Sequence, residues 1–451
     1  MRILTIILMG LFVPFCSDRQ GLLEQIERSR ELRVVTRNSL TTCYRAGDGF
    51  AGFEYSLARR FAETLGVRLT IVFVDNDRQA MAALERGEGH LAAGLRAGSP
   101  ESGTVVRWGP VYQQFHRQVV YRYGGRRPDD PGDLAGRFVE IASGHGYGAM
   151  LGGLADKYPD MVWRAHPSLG VAELLSLVLQ RKVDLTIADA HELALLRQGY
   201  PELGAAFTLG DPQSLVWGVL FDTDDGLYLR VLRFFEEVKR KGELATLMER
   251  YYGHMDDFDY VETHRFLRHV KSRLPKYMTH FKAAAARHNL DWRLLSAIGY
   301  QESHWNPEAV SPTGVRGIMM LTADTARQVG VRDRTDERES ILGGARYFVR
   351  VKKKIPTRIQ EPDRTWLALA AYNVGFGHLE DARILTQRAG ADPDLWRDVK
   401  RFLPLISQKQ WYEKTRYGYA RGHEPVQFVG NIRRYYDRLV WLNGVRDDAR
   451  L

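Results

Sequence analysis

Glu302 is the side chain in this sequence best placed to do chemistry. It stands in AIGYQESHWNPEAVSPTGVRGIMMLT, residues 297–322, near the end of an apolar helical pattern. Leu294, Ile298 and Glu302 recur at i, i+4 and i+8, so one helical face carries all three. A carboxyl group aimed at apolar neighbours is disfavoured in its charged form. It then keeps its proton at neutral pH and can serve as a general acid. The competing reading is a helix-end glutamate in water or in an ion pair, and spacing does not separate the two. Cleavage of a glycosidic bond ordinarily needs a second carboxylate as base or nucleophile. Glu308, Asp324 and Asp363 follow Glu302, but the first lies in a turn segment and the others read as helix starts.

The order Glu302-Ser303, Ser311, Gly317-Ile318-Met319 and then Ala371-Tyr372-Asn373-Val374-Gly375 resembles the motifs of the soluble-lytic-transglycosylase (SLT) family. Met320 stands where that family usually has glutamine, so any substrate hydrogen bond from that amide is missing. The resemblance implies cleavage of the MurNAc-GlcNAc β-1,4 bond of peptidoglycan by a single acid. Glu302 would protonate the leaving oxygen. Its carboxylate would then take the proton of the sugar's own C6 hydroxyl as that oxygen attacks C1, giving 1,6-anhydro-MurNAc without consuming water. The resemblance also implies substrate-side roles for Ser311 (on the N-acetyl carbonyl or on Glu302), Tyr372 (holding the Glu302 carboxyl group) and Asn373 (on the adjacent loop or a sugar amide). Met319 is a candidate floor for a sugar site, with core packing as the alternative. Two rivals share these residues: a lysozyme-type hydrolase of the same bond, and a non-catalytic cell-wall sensor or binding protein.

The elements that must position Glu302 are helical. Asp291 is a natural N-cap for the helix that bears it, and Pro307 stops that helix soon after. Further helices are expected over 321–329, 341–351 and 366–372, with few strand signals. An all-α, lysozyme-like domain follows, in agreement with the SLT resemblance. Its stretch 408–436 holds Trp411, Tyr412, Tyr417, Tyr419, Phe428, Tyr435 and Tyr436. Such rings suit stacking on pyranose faces and suit a helical core equally.

The first half reads differently. Phe53, Leu57, Phe61 and Leu65 mark an amphipathic helix over 53–65, and another is expected over 78–85. Strands are expected over 32–36, 67–74 and 91–95. This alternation argues an α/β sheet domain. The phrases Gly52-Phe53-Glu54, Gly89-His90-Leu91-Ala92-Ala93-Gly94, Asp133-Leu134-Ala135-Gly136 and Lys182 through Asp189 resemble, in order, family 3 extracellular solute-binding proteins. The resemblance implies a two-lobed α/β periplasmic-binding-protein-like domain, the second lobe inserted in the first, with a ligand cleft between them. Ser102 stands where that family's carboxylate-gripping arginine is expected, and Arg96 is displaced from it by six residues. Asp189 matches the residue that holds a ligand's amino group, with capping of the helix 190–196 as the alternative. Ser143-Gly144-His145-Gly146 reads as a strand-to-helix turn.

The expected division is therefore a signal peptide over 1–16, a solute-binding-like domain over 22–255, a linker over 256–274 with a helix at 266–274, and an SLT domain over 275–446. At 451 residues two or three domains are the norm. Net charge is +9, which favours polyanionic partners such as the cell wall, whereas no nucleic-acid-binding module is present. No cofactor or metal motif is found. Met1-Arg2 and the apolar run 3–15 read as an export signal too short to span a bilayer. Cys16 closes that run and is a candidate lipidation site, which leaves Cys43 without a disulfide partner. The two domains in this order resemble a branch of the transglycosylase family attached to the outer membrane on its periplasmic side. A small ligand or muropeptide is the expected occupant of the N-terminal cleft.

Overall fold

The computed structural model describes residues 21–448 apart from 40, 47–48, 98–105, 144, 222–224 and 255–258. The expected signal peptide, Cys16, Ser102 and Gly144 lie outside these residues.

The first half is built on one sheet of nine strands beside a two-stranded hairpin. In chain order the strands are β1 (Glu31–Arg37), β2 (Tyr44–Ala46), β3 (Gly49–Ala51), β4 (Arg68–Val74), β5 (Leu91–Arg96), β6 (Val106–Trp108), β7 (Gln113–Arg122), β8 (Phe138–Ala142), β9 (Val162–His166), β10 (Leu185–Asp189) and β11 (Leu203–Leu220). The sheet order is β4-β1-β5-β11-β7-β10-β8-β9, with β6 also on β11 and the hairpin formed by β2 and β3. Parallel pairs at each end, β1 with β4 and β8 with β9, are joined by crossover helices, as parallel strands require. The helix Phe53–Leu65 falls where its four-residue apolar spacing puts it, and it buries Phe53, Leu57 and Phe61.

Two lobes form because the long strand β11 pairs with β5 near one end and with β7 along the rest. Its register slips between Ala205 and Thr208 and again between Leu209 and Gln213. Gly210, at φ 68°, supplies the left-handed backbone that the second slip needs. Phe61, Trp217, Phe234 and Phe235 centre the core of one lobe. Val119, Ile141, Leu174 and Ile187 belong to a separate core in the other.

The second half is helical, with no named strand after β11 among the described residues. Its core gathers Phe281, Leu295, Ile298, Phe348, Leu367, Leu369 and Ile432, all nearly or fully enclosed. Burying each such side chain contributes about 1.5–3 kcal/mol. The connecting helix runs Tyr260–Ser272, six residues earlier than expected, because the Asp259 carboxylate accepts the Glu262 amide at 3.0 Å and caps it. It stops at Ser272, and Pro275 sits in the first turn of a new helix, Leu274–His288. A C-terminal helix, His423–Asp448, closes the fold.

The halves are locked together first around one half-buried acid. Glu249 accepts Lys400 Nζ at 2.6 Å and Arg433 Nη1 at 2.8 Å, and the same guanidinium reaches the Glu249 carbonyl at 2.7 Å. Nearby, Arg397 donates to the Gly242 carbonyl at 2.6 Å. Trp441 of the C-terminal helix meets Tyr200 of the second lobe edge-on, with ring centroids 5.0 Å apart. Among the described residues no helix is long and apolar enough to cross a membrane.

Candidate active site

The helix Trp292–Ser303 carries Glu302 on its last turn. Asp291 caps its start by accepting the Arg293 amide at 2.8 Å and is itself gripped by the Arg293 guanidinium. The helix ends because His304 and Trp305 both adopt left-handed backbone, at φ 53°, before Pro307 is reached. Trp305 then folds back and donates its indole to the Ser296 carbonyl at 2.8 Å. Ser303, next to the acid, donates to the Ile318 carbonyl at 2.8 Å and so binds the helix end to the Gly317-Ile318-Met319 turn. Gly317, at φ 91°, is required there, since a Cβ would collide with the Arg334 carbonyl oxygen. Gly317→Ala is expected to destabilise the catalytic half by on the order of 3 kcal/mol, read by urea denaturation.

Leu294 and Ile298 are buried on the Glu302 face, as their spacing requires. Glu302 itself is half-buried, and its carboxyl group has no hydrogen-bond partner among the described residues. Desolvation by burial pushes it up to about 8, so it is mostly protonated at neutral pH. That is the condition for a general acid.

The other expected site residues fall around it unequally. Tyr372 is buried, and its hydroxyl donates to the Met319 carbonyl at 3.4 Å instead of to Glu302. Burial, and then the negative field of Glu302, hold its phenol protonated well above its usual range. Met319 is not a sugar floor: its side chain is fully enclosed, packed against Gly299 and Gly344. Its service to the site is the carbonyl that anchors Tyr372. Ser311 spends its hydroxyl on its own loop, accepting the Val315 amide at 3.0 Å and meeting Thr313 at 3.0 Å. Asn373 is exposed at the end of the helix Asp363–Val374. Of the aromatic run, Phe428 and Tyr435 are core, whereas Tyr417 and Tyr419 are exposed.

A cleft of 560 Å³ opens on Glu302, lined by Gln301, Ser303, His304, Asn306 and Ala309 and by Arg265, His269 and Arg273. The last three come from the connecting helix and its C-cap, which the motifs did not point to. Their spacing of four was legible as a basic stripe. Glu302 is the one carboxyl group in this wall. Glu308 is exposed in the turn, and Asp324 lies exposed in an ion pair with Arg327. Asp363 accepts the Trp396 amide at 2.9 Å, a structural task.

Between the lobes of the first half, Asp189 stands at the N-cap position but makes no capping bond. Its carboxylate instead accepts Arg96 Nη2 at 2.6 Å from the opposite lobe and the Tyr147 hydroxyl at 3.0 Å. Arg96 also reaches Asp77 at 3.1 Å, and all three side chains are at most 4% exposed. Burial is the largest single influence and would raise Asp189, but the fields of Arg96, His191 and Arg37 together with the Arg96 hydrogen bond outweigh it and hold the carboxyl group down to about 2. The guanidinium thus occupies the place expected for a ligand's amino group. Nothing in the motifs signalled that pairing.

The sequence profile described as Transglycosylase SLT domain matches residues 279–394, and that described as Bacterial extracellular solute-binding proteins, family 3, matches residues 32–254. Over 441 residues, 97% of this chain and 90% of the relative, the sequence is 46% identical to membrane-bound lytic murein transglycosylase F of Pseudomonas fluorescens (strain Pf-5). The chain belongs to the membrane-bound lytic murein transglycosylase F family. The transglycosylase F of Stutzerimonas stutzeri is likewise 46% identical over 437 residues, 96% of this chain and 90% of its own length. Among solved structures, the cysteine-binding protein from Campylobacter jejuni aligns with a TM-score of 0.47 at 15% identity, covering 53% of this chain and 97% of that one. Within the transglycosylase F family the two matched regions account for the two halves of the fold, an α/β solute-binding architecture followed by a helical SLT domain.

Proposed function

We propose that this chain is a peptidoglycan lytic transglycosylase, cleaving the MurNAc-GlcNAc β-1,4 bond to leave 1,6-anhydro-MurNAc ends during cell-wall remodelling. The observation that carries the reading is Glu302: one carboxyl group, held protonated by desolvation, in a cleft whose wall offers no second carboxylate. A hydrolase would need that second group to activate water. With one acid, the substrate supplies the nucleophile. Glu302 gives its proton to the glycosidic oxygen, and the resulting carboxylate takes the proton of the C6 hydroxyl as it closes on C1. Tyr372, anchored on Met319, supports the acid from behind. Ser311 shapes the loop at the cleft, and Asn373 and the exposed Tyr417 and Tyr419 offer polar and stacking contacts to the glycan.

The domain division at 22–255, 256–274 and 275–446 is supported by the separation of the apolar cores of the first half from that of the helical half, which Phe266 of the connecting helix joins. We place the enzyme in the periplasm, held at the outer membrane, in keeping with its export-type leader and with relatives named membrane-bound. The first half serves as a regulatory unit, and the connecting helix is its line to the acid. Tyr260 packs on Tyr123 of the second lobe at 4.7 Å, while His269 hydrogen-bonds Tyr300 on the Glu302 helix at 3.1 Å.

Mass spectrometry of muropeptides released from purified sacculi tests the reaction. Anhydro-ended products support a transglycosylase. Reducing-end products mean a hydrolase, and no release by a folded protein means a binding protein.

A further inference from the structure

The cleft beside Glu302 has a charge that the reaction does not use. Arg265, His269 and Arg273 stand at i, i+4 and i+8, and all three line the cleft together with Glu302. Arg265 makes no hydrogen bond or ion pair among the described residues. Arg273 commits one nitrogen to the His304 carbonyl, at 2.9 Å, and leaves the rest of its fork unspent. No carboxylate lies within ion-pair distance of either guanidinium among the described residues. Glu262, on the same helix, is turned to the Tyr435 hydroxyl, and Glu302 is neutral. Burial, together with the field of Arg273, His304, Arg268 and Arg265, holds His269 down to about 4, which leaves it a neutral partner between the two cations.

Two half-buried guanidiniums facing a cleft without a counter-charge make a site for an anion. The glycan backbone is uncharged. Its carboxylates hang from O3 of MurNAc, either on the stem peptide or, where that peptide has been removed, as the free lactyl acid. We propose that Arg265 and Arg273 form a carboxylate subsite that reads the substituent on the O3 of a MurNAc bound next to Glu302. The subsite rests on the transglycosylase reading for its substrate. It makes the connecting helix, which lies outside the matched SLT region, part of the substrate-binding surface.

The test measures binding in the full chain carrying Glu302→Gln, so that no turnover is involved. Three glycans are compared: peptide-bearing strands, strands freed of peptide by an amidase, and the freed strands with the lactyl acid converted to a neutral amide. Adding Arg265→Gln, which breaks no intramolecular bond, is expected to weaken binding of a carboxylate-bearing strand about 10–100-fold, since hydrogen bonds to charged groups are the strong ones. Binding of the neutral strand is expected to change less than twofold. Loss confined to peptide-bearing strands assigns the stem peptide, and loss that extends to the free acid assigns the lactyl group. Equal loss on all three glycans, or none on any, overturns the subsite. Arg265→Lys, which keeps the charge and loses the fork, is expected to recover part of the affinity. The transglycosylase reading fails by a different sign, reducing-end products from the unmodified chain, so the two failures are told apart.

Discussion

Glu302→Gln is expected to stop release of anhydro-ended muropeptides, by roughly a thousandfold or more, because one residue serves as acid and then as base. The same change is expected to stabilise the protein. Glu302 titrates near 8 when folded against an ordinary 4.5. Between those values the folded chain holds a proton that the unfolded chain has released, so stability falls as pH rises through that window. The full cost is present above about 8. Glutamine carries no such penalty. Its advantage should be small at pH 4 and grow to on the order of 2 kcal/mol by pH 8, less than the whole shift because the carboxyl group still meets water at the cleft. Thermal melts of both proteins across that range check it. An advantage that shrinks as pH rises would mean an ionised, partnered glutamate. Activity should follow the protonated form and decline above about pH 8.

Asp189→Asn is expected to unsettle the first half by about 3–5 kcal/mol, because it leaves the buried Arg96 guanidinium with Asp77 alone. Asp189 is depressed to about 2, so the wild-type contribution is present above the ordinary aspartate value and is lost as pH falls toward 2. Replacing both partners by apolar residues, Arg96→Met with Asp189→Leu, should restore most of the loss, since no charge is then stranded. Urea titration of the three proteins, read on the first-half transition, measures this. A loss under about 1 kcal/mol would mean that water reaches the carboxylate and the lobes part in solution.

What the sequence made legible was local or repeated. The helix Phe53–Leu65 begins and ends where its spacing predicts, and Asp291 caps the Glu302 helix as its position suggests. Glu302 itself could be singled out because its apolar neighbours recur on its own helix. The remaining site residues depended on long-range packing or, for Ser311, on bonds within a local turn. Ser311 turned inward to its own loop, Met319 went into the core, and Tyr372 found a carbonyl instead of the acid. None of those outcomes has a periodic signature. Arg265 and Arg273 are spaced as a basic stripe on one helix, and only the placement of that helix beside the Glu302 turn brings them to the cleft. Asp189 and Arg96 are 93 residues apart and meet only because the lobes close on one another.

The shared strand β11 also governs how the protein is made. Lobe one contributes β1, β4 and β5 early in the chain, but its sheet is completed by the far end of β11, and its core by the helix Gly226–Arg240. Apart from β6 and the start of β7, the chain between them belongs to the other lobe. The first segment to be made therefore cannot mature first. It waits, with Val34, Leu57 and Leu91 still unprotected, until the inserted lobe has been delivered and β11 arrives to seal it. The interval before β11 arrives is when this chain most needs shelter from aggregation.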